Sequence, residues 1–345
     1  MTPLSPPTAE AAGAPARAAS APAGTRAPAP GALPDAWRDG LARLRKVPGE
    51  FFRGTLGVDE AARQLGTDAG TVAALVEAGL PAERGEDGPL LDYHDVANLG
   101  LAARQGRSLA ELAEARMLRM AAGPREGWLK ERTWHVRLAA PCDAPGCPGE
   151  VPPVPAPDLL GGTLVDVRPA AGPGGETTAT VVTRGTAAEP RTEAVRAVYD
   201  GLLAALDDGS HQFGWLPDRL RADPARAAGL RMVDCQVAAW IMARDAREAG
   251  LAARTRKGYV LGMVGVEHAW TEVLEDGRWL VLDPVLAFLA RRHKASNPEF
   301  TDFCRGSVHN RLLAWPAASE EPVVTHDCDR GGRCALSCNQ VLGGA

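Results

Sequence analysis

Long apolar runs are missing from this 345-residue chain: no stretch approaches the roughly 20 consecutive apolar residues that a membrane-spanning helix needs. The opening M-T-P-L-S-P-P-T-A-E has neither a basic start nor a continuous apolar segment, so no secretory leader is expected. Charge of one sign is also lacking. With 38 Lys and Arg against 43 Asp and Glu, the net charge of −5 offers no global attraction to nucleic acid or to an anionic membrane. Aromatic residues are scarce at 5%, and their split is unusual, with eight Trp and three Tyr. A cytoplasmic chain is expected, with its seven cysteines mostly reduced. In that compartment cysteine clusters serve metals or catalysis more often than disulfides.

Residues 1–34 are almost wholly Ala, Pro, Gly, Ser and Thr with a few Arg, which have little to bury against the entropy of ordering, and a disordered tail is expected. Residues 35–123 read as a helical module. Asp35 is placed as the cap of a short helix carrying Trp37, Leu41 and Leu44 on one face. Gly66 and Gly79 end two further helices, E-R-G-E-D-G-P-L-L suggests a small hairpin, and Asp92 caps the next helix. Ser108 with Glu111 forms a capping box, and Gly123-Pro124 is a stop. The run V-D-E-A-A-R-Q-L-G-T-D-A-G-T-V-A-A-L-V-E-A-G-L-P resembles the winged helix-turn-helix of excisionase and MerR-type proteins. The second helix of that pattern, Asp68 to Ala78, holds no Lys or Arg and carries Asp68 and Glu77. Groove reading needs basic or amide side chains aimed at bases and phosphates. Docking to protein or a structural role is therefore expected of residues 57–122 rather than nucleic-acid binding.

Residues 124–190 form a β-rich segment. It contains the strand W-H-V-R-L, a knuckle with Cys142 and Cys147, a Pro-rich linker, and two strands, T-L-V-D-V-R and T-T-A-T-V-V-T-R. Residues 293–345 make a C-terminal extension, in which Asn297 to Phe303 reads as a loop. Its end holds His326, Cys328, Cys334 and Cys338. With Cys142 and Cys147 these could supply a tetrahedral zinc site, but the spacings match no common zinc motif, and iron–sulfur ligation or unliganded thiols stay open. No cofactor is assigned. Cys304 reads as a lone structural thiol.

The chemistry concentrates between Val233 and Pro284, within a core placed at residues 191–292. Thr192 opens an amphipathic helix through Leu206, and an irregular stretch with Phe213 and Trp215 follows. Trp215 is a candidate to shape an oxyanion pocket. Cys235 then starts a helix whose first two turns, Val237 to Ala243, are apolar nearly all round, the pattern of a buried helix. A thiol at a helix N-terminus sits in the positive end of the helix dipole, which favours its charged form. Beyond it, E-H-A-W-T-E-V-L and R-W-L-V-L-D-P flank Asp276-Gly277, a two-residue type I′ turn signal. That turn pairs Leu274 with Trp279, Glu272 with Val281 and Trp270 with Asp283. Strand alternation then puts His268 and Asp283 on one face, diagonal to each other and within reach of contact.

The Cys235 helix start, G-L-A-A-R followed by G-Y, H-A-W-T-E-V and W-L-V-L-D-P together resemble the transglutaminase-like superfamily. The resemblance implies an α+β fold: a papain-like core with an antiparallel sheet packed on a central Cys-bearing helix, plus the small winged-helix-like module. It also implies that Cys235 is a nucleophile, His268 the general base and acid, and Asp283 the carboxylate that orients the imidazole. Trp240, Trp270 and Trp279 are expected in the core and cleft wall. The activity implied is acyl transfer or amide hydrolysis through a Cys235 acyl-thioester, on a peptide, amide or thioester substrate. The rival class is a regulator or adaptor without catalysis, binding DNA or protein through residues 57–122.

Overall fold

The computed structural model describes residues 33–142, 144–262, 265–324 and 337–342. Of the expectations above, those on the tail through residue 32 and on His326, Cys328 and Cys334 lie outside the described residues. No helix among the described residues is long and apolar enough to cross a membrane.

The chain first builds α1 (Asp35–Arg43), β1 (Gly54–Leu56), α2 (Val58–Leu65), α3 (Ala69–Glu77), β2 (Ala82–Gly85), β3 (Gly88–Asp92), α4 (Tyr93–Ala103) and α5 (Leu109–Met117). The punctuation is local. Gly66 adopts a left-handed conformation at φ 64°, Asp68 accepts from Thr71 N–H, and Asp92 accepts from His94 and Asp95 N–H. Ser108 and Glu111 close the capping box from both sides. Pro34, not Asp35, occupies the cap position of α1. The three strands pair in the order β1-β3-β2. Trp37, Leu65, Val72, Leu75, Leu91, Val96 and Leu99 fill one core beneath them. Each fully buried aliphatic side chain of this kind contributes about 1.5–3 kcal/mol.

After a 3₁₀ turn and α6 (Arg125–Leu129), the chain forms β4 (Arg132–Ala139), β5 (Thr163–Arg168) and β6 (Glu176–Thr183). The last strand of the chain, β14 (Ser337–Leu342), returns to pair antiparallel with β4, giving the order β14-β4-β6-β5. The C-terminal stretch and the segment after residue 124 thus share one sheet. Trp134, Val136 and Leu138 alternate inward from β4 and pack with Ala179, Val181, Tyr259, Leu313 and Trp315.

Between them come α7 (Glu193–Asp207), β7 (Gln212–Phe213), α8 (Asp218–Arg221), α9 (Pro224–Gly229), β8 (Met232–Val233), α10 (Cys235–Glu248), β9 (Ala253–Val260), β10 (Val266–Glu275), β11 (Arg278–Leu282), α11 (Pro284–Arg292), α12 (Glu299–Phe303), β12 (Arg305–Gly306) and β13 (Leu312–Trp315). Five of these strands form an antiparallel sheet in the order β12-β11-β10-β9-β13. The helix α10 is buried from Gln236 through Ala243 apart from Trp240, and it lies against β9 and β10. The whole is a mixed α+β arrangement. The stretch expected to be a loop after Asn297 instead coils into α12, because Phe300 and Phe303 pack their rings 4.9 and 5.1 Å from that of Trp128. That partner lies some 170 residues upstream, beyond any local signal.

The hairpin that carries the chemistry has the expected register. Leu274 faces Trp279, Glu272 faces Val281, and the ladder runs from Glu275–Arg278 to Thr271–Leu282. Asp276 and Gly277 take φ of 50° and 76°, the two left-handed residues a type I′ turn requires. A side chain at Gly277 would meet nothing within 4 Å, so only backbone strain opposes one. Gly277→Ala is expected to cost about 1 kcal/mol in urea denaturation and to leave the thiol chemistry unchanged.

Candidate active site

Cys235 is the first residue of α10, and the turn before it is tightly specified. Asp234 holds the cap position, and its Oδ1 accepts from Val237 N–H at 2.9 Å. The strand β8 leads straight into this cap and pairs in parallel with β7. The thiol is half-buried at the positive end of a buried helix.

His268 approaches from β10 and Asp283 from the end of β11. His268 Nε2 and Asp283 Oδ2 are 2.6 Å apart, and both residues are 3% exposed. Asp283 has a second duty that the sequence did not advertise: it caps α11, with Oδ1 accepting from Leu286 N–H at 3.0 Å. Its own N–H donates to Cys304 O at 3.0 Å. One carboxylate oxygen is therefore committed to a helix start and the other to the imidazole. The Cys235 side chain lies close enough to act on the same imidazole and favours its charged form. With Nε2 taken by Asp283, Nδ1 is the ring nitrogen left for the thiol. Thr271 Oγ1 donates to Ala239 O at 2.8 Å, which fixes the histidine's strand against the cysteine's helix.

Burial alone would push the His268 imidazolium below its usual range, but Asp283 and then Cys235 outweigh it and raise its pKa to about 10. The folded value lies above that of an unfolded histidine. The stabilisation from this pair is therefore fully present below the ordinary histidine range and is lost as pH rises through about 10.

Sequence reading missed a polar frame around the thiol. Arg221 on α8 places Nε 2.7 Å from Asp234 Oδ2, an ion pair in which the N–H is not aligned as a hydrogen bond. Its Nη2 lies 3.7 Å from Glu267 Oε1, which also accepts from Gln236 Nε2 at 2.7 Å. Lys257 Nζ sits 3.6 Å from the same Glu267 oxygen and donates to Glu321 O at 2.6 Å. Burial opposes the Arg221 charge, yet Asp234, Glu267 and Cys235 raise its pKa overall. Lys257 is lowered, by burial first, with Glu267 opposing. Gln236 stands in the Cys235 helix start, and Lys257 and Glu267 stand immediately before G-Y and H-A-W-T-E-V; a lysine facing Ala269 across the middle of a sheet was the available signal. Arg221 carries no such mark.

Of the three tryptophans expected in the core and cleft wall, Trp270 is in the core, Trp240 packs against it and Trp279 does not. Trp270 is buried, 6.2 Å from the His268 ring, and donates to Glu272. Glu272, also buried, is held by Arg254 at 2.6 Å and Arg256 at 3.1 Å. Trp279 is instead 37% exposed beneath the Arg254 guanidinium, and Trp240 is half-buried beside Arg244. Trp240 still packs against the main core, whereas Trp279 stays outside it, and each ring has a guanidinium over it. The Trp215 ring packs with Ala97, Leu101 and Ala110 and lies 6.1 Å from Tyr93, so α4 and α5 engage it.

Cys304 is buried, and burial together with Asp283 pushes its thiol well above the usual range. Among the described residues no group of three or more His, Cys, Asp or Glu is arranged to hold a metal. Cys142 and Cys147 lie in the turn after β4, and Cys338 lies on β14. His309, which the sequence places in the short element S-V-H-N-R-L-L-A-W-P, is buried near Asp283 and His268, and burial pushes it down to about 3.

Residues 177–284 match the sequence model of the Transglutaminase-like superfamily, so this stretch, which contains Cys235, His268 and Asp283, is a transglutaminase-like domain. A comparison with curated proteins gives no match. Among solved structures, the chain is similar to a crystal structure described as a "Putative Cysteine Protease from Cytophaga hutchinsonii", at 10% identity, covering 61% of this chain and 95% of that one. The TM-score is 0.21, too low to carry an argument.

Proposed function

We propose that the chain is a thiol-dependent acyl-transfer enzyme in which Cys235 is the nucleophile, His268 the proton carrier and Asp283 its orienting carboxylate. The observation that carries this reading is the buried imidazole held by a carboxylate 2.6 Å from Nε2, with the half-buried Cys235 at a helix start close enough to act on the same ring. An imidazole held charged by Asp283 stabilises the negative sulfur that attacks, and it has a proton ready for the departing group. The Cys235 sulfur bonds to the carbonyl carbon of a peptide, amide or thioester. The resulting oxyanion lies at the start of α10, where the backbone N–H groups of the first turn have no partner within the helix. Collapse breaks the bond to the leaving amine or thiol, which takes the proton from His268. Water or an incoming amine then attacks the acyl-thioester and gives its proton back to the imidazole. Hydrolysis and amide formation share every step but the last acceptor.

The test is to trap the intermediate. Mixed with p-nitrophenyl acetate, the protein is expected to release one equivalent of nitrophenolate rapidly and to gain one acetyl group on Cys235 by peptide mapping. Cys235→Ala should abolish the rapid release. Acetylation spread evenly over several cysteines, or rapid release that persists in Cys235→Ala, would refute the assignment. Adding a primary amine to the acetylated protein then separates hydrolysis from transfer.

A further inference from the structure

We propose that Asn98, on the helix-turn-helix-like N-terminal module, is a positioning residue for the nucleophile, acting through the strand that precedes Cys235. Asn98 is buried on α4, and its amide meets both backbone groups of Trp215. Trp215 N–H donates to Asn98 Oδ1 at 2.6 Å, and Asn98 Nδ2 donates to Trp215 O at 2.9 Å. The backbone donor requires an acceptor opposite it, which fixes the orientation of the amide. One side chain thus does for this segment what a neighbouring strand would do. A second observation stands apart from those bonds. A Cβ on Gly214 would fall 2.6 Å from Asn98 Oδ1, so the close approach exists only because position 214 has no side chain.

The gripped segment leads to the thiol. Gly214 N–H donates to Val233 O at 2.9 Å, and Gln212 N–H donates to Arg231 O at 2.9 Å. Phe213 stands opposite Val233 in the parallel β7–β8 pair. Val233 is followed at once by the capping Asp234 and by Cys235. At the other end of the segment, Gln212 Oε1 accepts from Arg45 N–H at 2.5 Å and its Nε2 donates to Arg43 O at 2.8 Å. The N-terminal module therefore holds residues 212–215 at both ends, and these residues hold the last two residues before the cap. Asn98 does not touch the reacting atoms; it sets where the start of α10 lies relative to His268. The catalytic meaning of that placement rests on the thiol chemistry proposed above.

The experiment measures iodoacetamide alkylation of Cys235 across pH in the full chain, by mass spectrometry of the Cys235 peptide. This readout does not require acyl transfer, so a wild-type protein that fails to form an acyl-enzyme would sink the proposed function without touching this one. Asn98→Leu removes both hydrogen bonds at similar volume and is expected to slow Cys235 alkylation by about 2- to 30-fold and to displace its pH profile. Glu50→Ala breaks an exposed contact between the module and Arg226, 3.0 Å away, without touching β7, and should leave rate and profile unchanged. A folded Asn98→Leu protein with the wild-type rate and profile overturns the proposal. So does an equal loss in Glu50→Ala, which would point to docking in general. Should Asn98→Leu fail to fold by circular dichroism, Gly214→Ala forces the same partners apart from the other side and is held to the same outcomes.

Discussion

His268→Ala is expected to slow formation of the acetyl-enzyme by about 10²–10⁴-fold at neutral pH, the span that a positioned acid–base group supplies. Among the described residues no other group can take its place. Lys257 and Arg221 are the nearest cations, but Lys257 is engaged by Glu321 O and Glu267, and Arg221 is committed to Asp234. His309 is buried and pushed down to about 3, so it carries no charge at working pH. The wild-type profile has a stated sign: because Asp283 holds the imidazole charged up to about 10, acyl-enzyme formation that uses this charge should fall as pH rises through about 10. In His268→Ala that alkaline fall should vanish. A profile unchanged by the substitution would remove His268 from the mechanism. The substitution also leaves Asp283 Oδ2 buried without its partner, so a loss of about 3–5 kcal/mol in stability is expected in urea. Rates must therefore be compared on protein shown to be folded.

The His268–Asp283 contact is legible in the amino-acid sequence because every step to it is local. Two residues, Asp276 and Gly277, fix the turn; the turn fixes the register; and strand alternation carries that register to the His268 face. The start of α10 is legible for a similar reason, since the apolar turns after Cys235 leave little choice about what is buried. The paired ladder itself stops at Thr271–Leu282, one step short of the expected Trp270–Asp283 pair, because Asp283 turns to cap α11. What stays hidden depends on contacts far apart in the chain. Asn98 meets Trp215 across 117 positions, and Arg45 meets Gln212 across 167. The return of β14 to β4, which joins the C-terminal stretch to the first half of the chain, is longer still. No period or spacing encodes such pairings. The helix-turn-helix-like pattern shows the difference well: its helices and hairpin appear where the glycines and caps place them, but its grip on the strand before Cys235 comes from one asparagine with nothing unusual around it.

Asp283 allows its two duties to be separated. Asp283→Ala removes the cap of α11 and the partner of His268 together. It should cost about 3–5 kcal/mol for the broken buried pair, with about 1 kcal/mol more for the lost cap, in urea denaturation. Asp283→Asn keeps the shape and one oxygen. Leu286 N–H needs an acceptor at 3.0 Å, so the amide oxygen takes the place of Oδ1, and the NH₂ group is left facing His268 Nε2. Nε2 must then accept, which puts the ring proton of the neutral imidazole on Nδ1, the nitrogen left for the thiol. That tautomer cannot receive the thiol proton. Without the carboxylate, burial is also left to push the imidazolium down, so the charged form no longer persists toward pH 10. Asp283→Asn should therefore lose less stability in urea than Asp283→Ala, because it keeps the cap and the shape, yet form acetyl-enzyme at least about 10²-fold more slowly at neutral pH. If Asp283→Asn kept the wild-type acylation rate while Asp283→Ala lost it, the carboxylate would be serving the α11 helix and not the imidazole.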